Sequence, residues 1–142
     1  LDDELPELLV RGMKKSDDGK PETGDSSRTL GVRNPSDIEP DSQAMVGPGF
    51  HGMSVSPLPV DNLPKHRRPS EFGGTGRDPV FCIKTVHLGS FNLKYIQDPN
   101  NLGHGFIAPA QQMSYTEYVQ NLHNTRDYWT HFGKDGDKDE DS

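Results

Sequence analysis

The sequence predicts an α+β domain in which several short strands carry one helix near the C-terminal end. Three observations point there. Apolar residues gather in short runs rich in β-branched and aromatic side chains and bounded by Gly or Pro, as strands do. A single S-x-x-E signature precedes an apolar stripe at helical spacing. The elements follow no regular βαβ alternation, which argues against a doubly wound sheet.

Taken in order, Leu8, Leu9 and Val10 form a β-compatible run that ends at Arg11-Gly12. Residues 14–45 then offer only Leu30, Val32, Ile38, Ala44 and Met45 as apolar side chains among Ser, Asp, Gly, Pro and Lys. Such a stretch buries too little surface to offset its ordering entropy, so it is expected to be a long flexible insertion. Gly52-Met53-Ser54-Val55-Ser56 alternates apolar and hydroxyl side chains up to Pro57, the pattern of a half-buried strand. Pro79 opens a third run over residues 80–88, and residues 93–97 and 105–108 are shorter candidates.

Ser114 and Glu117 form the capping box of the helix, and Tyr115, Tyr118, Val119, Leu122, Trp129 and Phe132 are expected along its buried face. Residues 133–142 hold five acids, two lysines and nothing apolar, which predicts a disordered acidic tail rather than a calcium loop. The expected organisation is one domain over residues 1–132 followed by that tail.

Composition narrows the function classes. With 15 Lys+Arg against 22 Asp+Glu, the 142-residue chain has a formal charge of -7, which makes nucleic acid an unfavourable partner. No apolar run approaches the roughly 18 residues needed to cross a bilayer, so no membrane span is expected. The single cysteine, Cys82, can form neither an internal disulfide nor a multi-thiolate zinc site, and the six histidines show no zinc spacing. The first residue is Leu, which leaves an upstream targeting segment open.

Several residues have the character of a polar-ligand site. Arg11 stands at a strand end before a glycine, where its guanidinium suits a bidentate phosphate contact or simple exposure. Ser54 and Ser56, two apart, share one face of their strand. Lys65, His66, Arg67 and Arg68 form a basic cluster ahead of Glu71-Phe72-Gly73-Gly74-Thr75-Gly76-Arg77, a Gly-rich loop whose backbone N–H groups could receive an anion or serve as a plain linker. His104 lies between Gly103 and Gly105, where backbone can approach a ligand closely. Cys82, inside an apolar strand, is expected to be a buried, inert thiol.

Together, Leu9-Val10-Arg11, Gly52-Met53-Ser54-Val55-Ser56, Gly73-Gly74-Thr75 before Val80-Phe81, and His104-Gly105-Phe106-Ile107-Ala108-Pro109-Ala110 with Met113 resemble the Tse2-like ADP-ribosyltransferase toxins. That family is named after a type VI secretion effector and has fungal members. The resemblance implies an ADP-ribosyltransferase-like fold, two small mixed β-sheets around a cleft with a C-terminal helix, and NAD as substrate. It assigns catalysis to Arg11, Ser54 and His104, and cofactor binding to Arg11, Ser54, Ser56 and Thr75. It further implies an intracellular target, an immunity protein as partner, and action in the cytoplasm, either native or after delivery into a target cell.

Cleaving the nicotinamide–ribose bond builds positive charge on the ribose, which such transferases usually stabilise with a glutamate. Here no E-x-E or Q-x-E stands near the later strands; Gln111 and Gln112 are nearest, and Glu117 belongs to the helix cap. The competing expectation is a non-enzymatic protein-interaction module of the same fold.

Overall fold

The computed structural model describes residues 5–133. The acidic tail expected over residues 133–142 lies, apart from Gly133, outside them. Eight strands and one α-helix make up the regular structure: β1 (Leu8–Gly12), β2 (Met45–Val46), β3 (Met53–Pro57), β4 (Val80–Lys84), β5 (Leu93–Gln97), β6 (Gly105–Pro109), β7 (Met113–Ser114), α1 (Tyr115–Asn124) and β8 (Thr130–His131). Six strands form one sheet in the order β5-β6-β3-β1-β4-β8, and β2 pairs with β7 in a separate two-stranded ribbon. The expected α+β architecture with two sheets and a helix toward the C-terminus is present. Every pairing between these described strands is antiparallel, however, where mixed sheets were expected.

The register of β3 shapes the middle of the large sheet. Its C-terminal half pairs with β1, Leu9 opposite Pro57 and Val10 opposite Ser56. Its N-terminal half pairs instead with β6, from Met53 opposite Ile107 to Val55 opposite Gly105. The β1–β3 ladder therefore stops at Val10, while β1 stays paired with β4 through Gly12, and Arg11 reaches across the opening to the Ser54 carbonyl.

The helix begins as the sequence predicts, with the Glu117 N–H donating to Ser114 Oγ at 3.0 Å. It buries Tyr118 and Leu122 completely against the sheet. It ends at Asn124, so Trp129 and Phe132 do not continue its stripe. Trp129 is fully buried after a 3-10 turn, its Nε1–H donating to Thr125 Oγ1 at 3.0 Å, and Phe132 packs on Phe72. The run expected as strand over residues 80–88 is strand only to Lys84. It then turns into a 3-10 segment, Thr85–Phe91, closed by Asn92 in the left-handed region.

The largest departure concerns residues 14–45. Far from a loose insertion, this segment contributes Leu30, Val32 and Ile38, each at most 1% exposed, to the core that also holds Leu9, Met53, Phe81, Ile107, Tyr118 and Trp129. Its polar groups are satisfied rather than solvated. The Lys14 N–H donates to the Arg28 carbonyl, the Glu22 N–H to the Lys14 carbonyl and the Leu30 N–H to the Glu22 carbonyl. Two forked Arg–carboxylate pairs fasten it to the domain, Arg28 on Asp78 at 2.7 Å and Arg126 on Asp18 at 2.8 Å. Three well-placed aliphatic anchors and paired polar groups thus offset an ordering cost that the low apolar content suggested would win.

Candidate functional site

A cavity of about 180 Å³ opens at the split beside β3. Its walls come from four places: Arg11 and Gly12 at the end of β1, Ser54, Val55 and Ser56 on β3, Ser27, Arg33 and Asp37 from the ordered segment 14–45, and Leu63, Pro64 and Arg67 from the loop before β4. His104, just ahead of β6, completes it. Arg11, Ser54, Ser56 and His104, singled out in the sequence, therefore share one hollow. Thr75 does not; it is exposed, and its backbone N–H donates to the Lys65 carbonyl at 2.9 Å.

Arg11 is 6% exposed and spends its donors on backbone. Nη1 donates to the Ser54 carbonyl at 2.7 Å, while Nη2 and Nε both donate to the Thr29 carbonyl, at 2.7 and 3.3 Å. Burial pulls its pKa down to about 10; Asp37 opposes that, and Arg67 and Arg33 add to it. The guanidinium remains charged at neutral pH. It acts as a staple between β1, β3 and the segment 14–45, a use of arginine that the exposed strand-end reading did not anticipate.

The other charges sort differently. Arg33 holds Asp37 in a fork, with contacts of 2.9 and 3.1 Å. The Arg67 guanidinium makes no hydrogen bond or ion pair among the described residues, while its backbone N–H donates to the Pro64 carbonyl. Its neighbour Arg68 is tied inward to the Leu63 and Phe72 carbonyls at 3.0 and 2.7 Å. Within the basic cluster Arg68 is thus an internal strut, while Arg67 lines the cavity. The Gly-rich loop offers no anion nest, because the Gly73, Gly74, Thr75 and Gly76 N–H groups all donate to carbonyls within residues 65–70. Close packing also presses on β1: a Cβ at Gly12 would lie 2.7 Å from the Arg67 carbonyl oxygen.

His104 is oriented by Asp98, with Nδ1 and Oδ2 3.0 Å apart. The β5–β6 loop fixes this pair, since the Asp98 N–H donates to the His104 carbonyl and the Asn100 N–H donates to Asp98 Oδ1. The Asn100 N–H, and then His104, hold the Asp98 carboxyl below its usual range. A carboxylate on Nδ1 selects the Nδ1–H tautomer and leaves Nε2 with its lone pair. Neither the Ser54 nor the Ser56 hydroxyl has a hydrogen-bond partner among the described residues.

Ser27, Arg33 and Asp37 went unmarked as site residues because nothing in their local sequence brings them to β3; only the folding of residues 14–45 does so, whereas Arg67 was marked only as a member of the basic cluster. Among the described residues no glutamate lines the cavity, and the only lining carboxylate is the one that Arg33 holds. A second hollow, of about 440 Å³, lies along Leu5, Pro6, Glu7, Lys84, Thr85 and Val86, without such a concentration of polar groups. No group of three His, Cys, Asp or Glu side chains among the described residues is arranged to hold a metal. No described helix is long and apolar enough to cross a membrane. In comparisons with known proteins, no family model, no curated protein and no solved structure matches the chain.

Proposed function

We propose that this is a toxin-like domain whose cavity takes up NAD and transfers ADP-ribose to a target inside a cell. One observation carries the reading: Arg11, Ser54, Ser56 and His104, drawn from distant parts of the sequence, line the same positively charged hollow. The resemblance had assigned these residues to NAD chemistry.

In the reaction the bond between ribose C1′ and the nicotinamide nitrogen breaks, nicotinamide leaves as the neutral base, and an acceptor oxygen or nitrogen bonds to C1′. The cationic wall attracts the phosphates, the β3 hydroxyls are free to bond ribose or carboxamide, and His104 Nε2 is the basic atom able to take the acceptor's proton. Purified protein incubated with NAD labelled in turn on the nicotinamide and on the adenylate, with cell lysate present, should release nicotinamide and label a macromolecule. Absence of NAD binding, nicotinamide release and label transfer would rule the enzyme out.

A second reading is favoured by the carboxylate inventory, since Asp37 is held by Arg33 and no glutamate faces the cavity. On that reading the domain is a non-enzymatic module that recruits a protein partner. Partner capture would then survive substitution of Ser54 and His104, whereas label transfer would not.

A further inference from the structure

The three arginines of the cavity are not equivalent, and the difference identifies what the hollow recognises. Arg11 has its donors on the Ser54 and Thr29 carbonyls. Arg33 is neutralised by Asp37. Among the described residues, Arg67 alone of the three has an uncommitted guanidinium fork, and the hydroxyls of Ser54 and Ser56, likewise without a partner there, belong to the same lining. Three guanidiniums against one carboxylate leave the lining with a net charge of two positive, inside a molecule whose formal charge is -7. A low-dielectric recess of that sign focuses an attractive potential on an anion.

Size narrows the class. Sites that enclose a drug-sized ligand run from about 300 to 1,000 Å³, whereas this hollow measures about 180 Å³. A dinucleotide does not fit inside it whole; a phosphate with its adjoining ribose does. Arg67 also sits on a fixed stretch of backbone. It ends a 3-10 turn, Lys65–Arg67, whose Lys65 carbonyl receives the Thr75 N–H, while the Gly76 N–H closes on the Arg68 carbonyl. A fixed backbone leaves only the side chain itself to be ordered on binding.

We infer that the cavity is a ribose-phosphate subsite in which Arg67 is the anion-contacting group, Ser54 and Ser56 supply the accompanying hydroxyl contacts, and Arg11 only positions the wall. This deepens the NAD reading by naming which end of a nucleotide enters, yet it can be tested separately.

Calorimetric titration of the intact protein at low salt would use AMP, ribose 5-phosphate and inorganic phosphate, with adenosine and ribose as uncharged counterparts. The phosphorylated compounds should bind and the uncharged ones should not. Arg67→Ala should weaken AMP binding at least about tenfold, as loss of a charge-assisted contact does, and Arg67→Lys should recover part of it. The Arg67 Nε–H resonance of the unaltered protein should shift on adding phosphate, which covers the case of a variant that does not fold. Adenosine binding as well as AMP, or an Arg67→Ala protein binding AMP like the parent, would overturn the inference. Arg67-dependent AMP binding without NAD cleavage sustains it and removes the NAD reading; NAD cleavage undiminished in Arg67→Ala does the reverse.

Discussion

The Arg11 guanidinium closes on the Thr29 carbonyl through both Nε and Nη2, tying the end of β1 to a segment 18 residues further along the chain. With Nη1 on Ser54, the side chain satisfies one buried and one partly buried carbonyl. This makes Arg11 a structural group first and a source of positive potential second.

Replacing Arg11 with Ala should therefore cost about 2–6 kcal/mol, since each of the two stranded carbonyls is worth about 1–3 kcal/mol. Arg11→Lys should not rescue it, because one ammonium cannot span both acceptors. Urea unfolding midpoints measure this, and a variant as stable as the parent would disprove the staple. Loss of activity in Arg11→Ala reports on folding, so Arg67 is the more informative substitution for ligand binding.

Gly31 tests whether residues 14–45 are fixed. An added Cβ there would lie 1.7 Å from the Gly24 carbonyl oxygen. Gly31→Ala should destabilise the domain by about 1–3 kcal/mol, the usual range for overpacking. Amide exchange over residues 22–32 should accelerate with it. A loose insertion would accept the methyl group with no change in either measurement.

Acid should loosen the same segment. Arg28 holds the Asp78 carboxyl below its usual range. The folded pKa lies under the unfolded value of about 3.9, so the unfolded chain binds more protons across that window. The stabilisation is complete above the unfolded value and disappears as pH falls through the folded one. Stability curves from pH 5 down to pH 2 should fall less steeply for Asp78→Asn than for the parent, from a lower starting level. Parallel curves would show that this pair contributes nothing.

Asp98→Ala should release His104 while leaving the fold intact, since Asp98 stands in a surface loop. Nitrogen-15 spectra of the imidazole at neutral pH should show the Nδ1–H tautomer in the parent and a tautomer mixture in the variant. Nicotinamide release should fall with unchanged NAD affinity. An unaltered tautomer would mean that Asp98 does not orient the ring.

The strands and the helix start were legible because their signals are local. Alternation in β3 and the Ser114–Glu117 spacing need no partner to be recognised. The helix end was not, because Trp129 and Phe132 happen to continue its period while lying beyond Asn124. Strands of two residues, such as β2, β7 and β8, have no period to detect, and their pairing decides them. The order of residues 14–45 was hidden for a related reason. Apolar count weighed three buried aliphatics too lightly, and the forks from Arg28 and Arg126 reach partners 50 and 108 residues away. Four of the five expected site residues met in one cavity, whereas Arg67 was legible only as part of a basic cluster.

Because Ser27, Arg33 and Asp37 form one wall of the cavity, the chamber exists only while their segment stays docked. Lengthening or shortening the chain between Ser26 and Ile38 should be ruinous. What looks in the primary structure like expendable padding is thus the architectural half of the recess, and a deletion intended to trim it would erase the chamber as well.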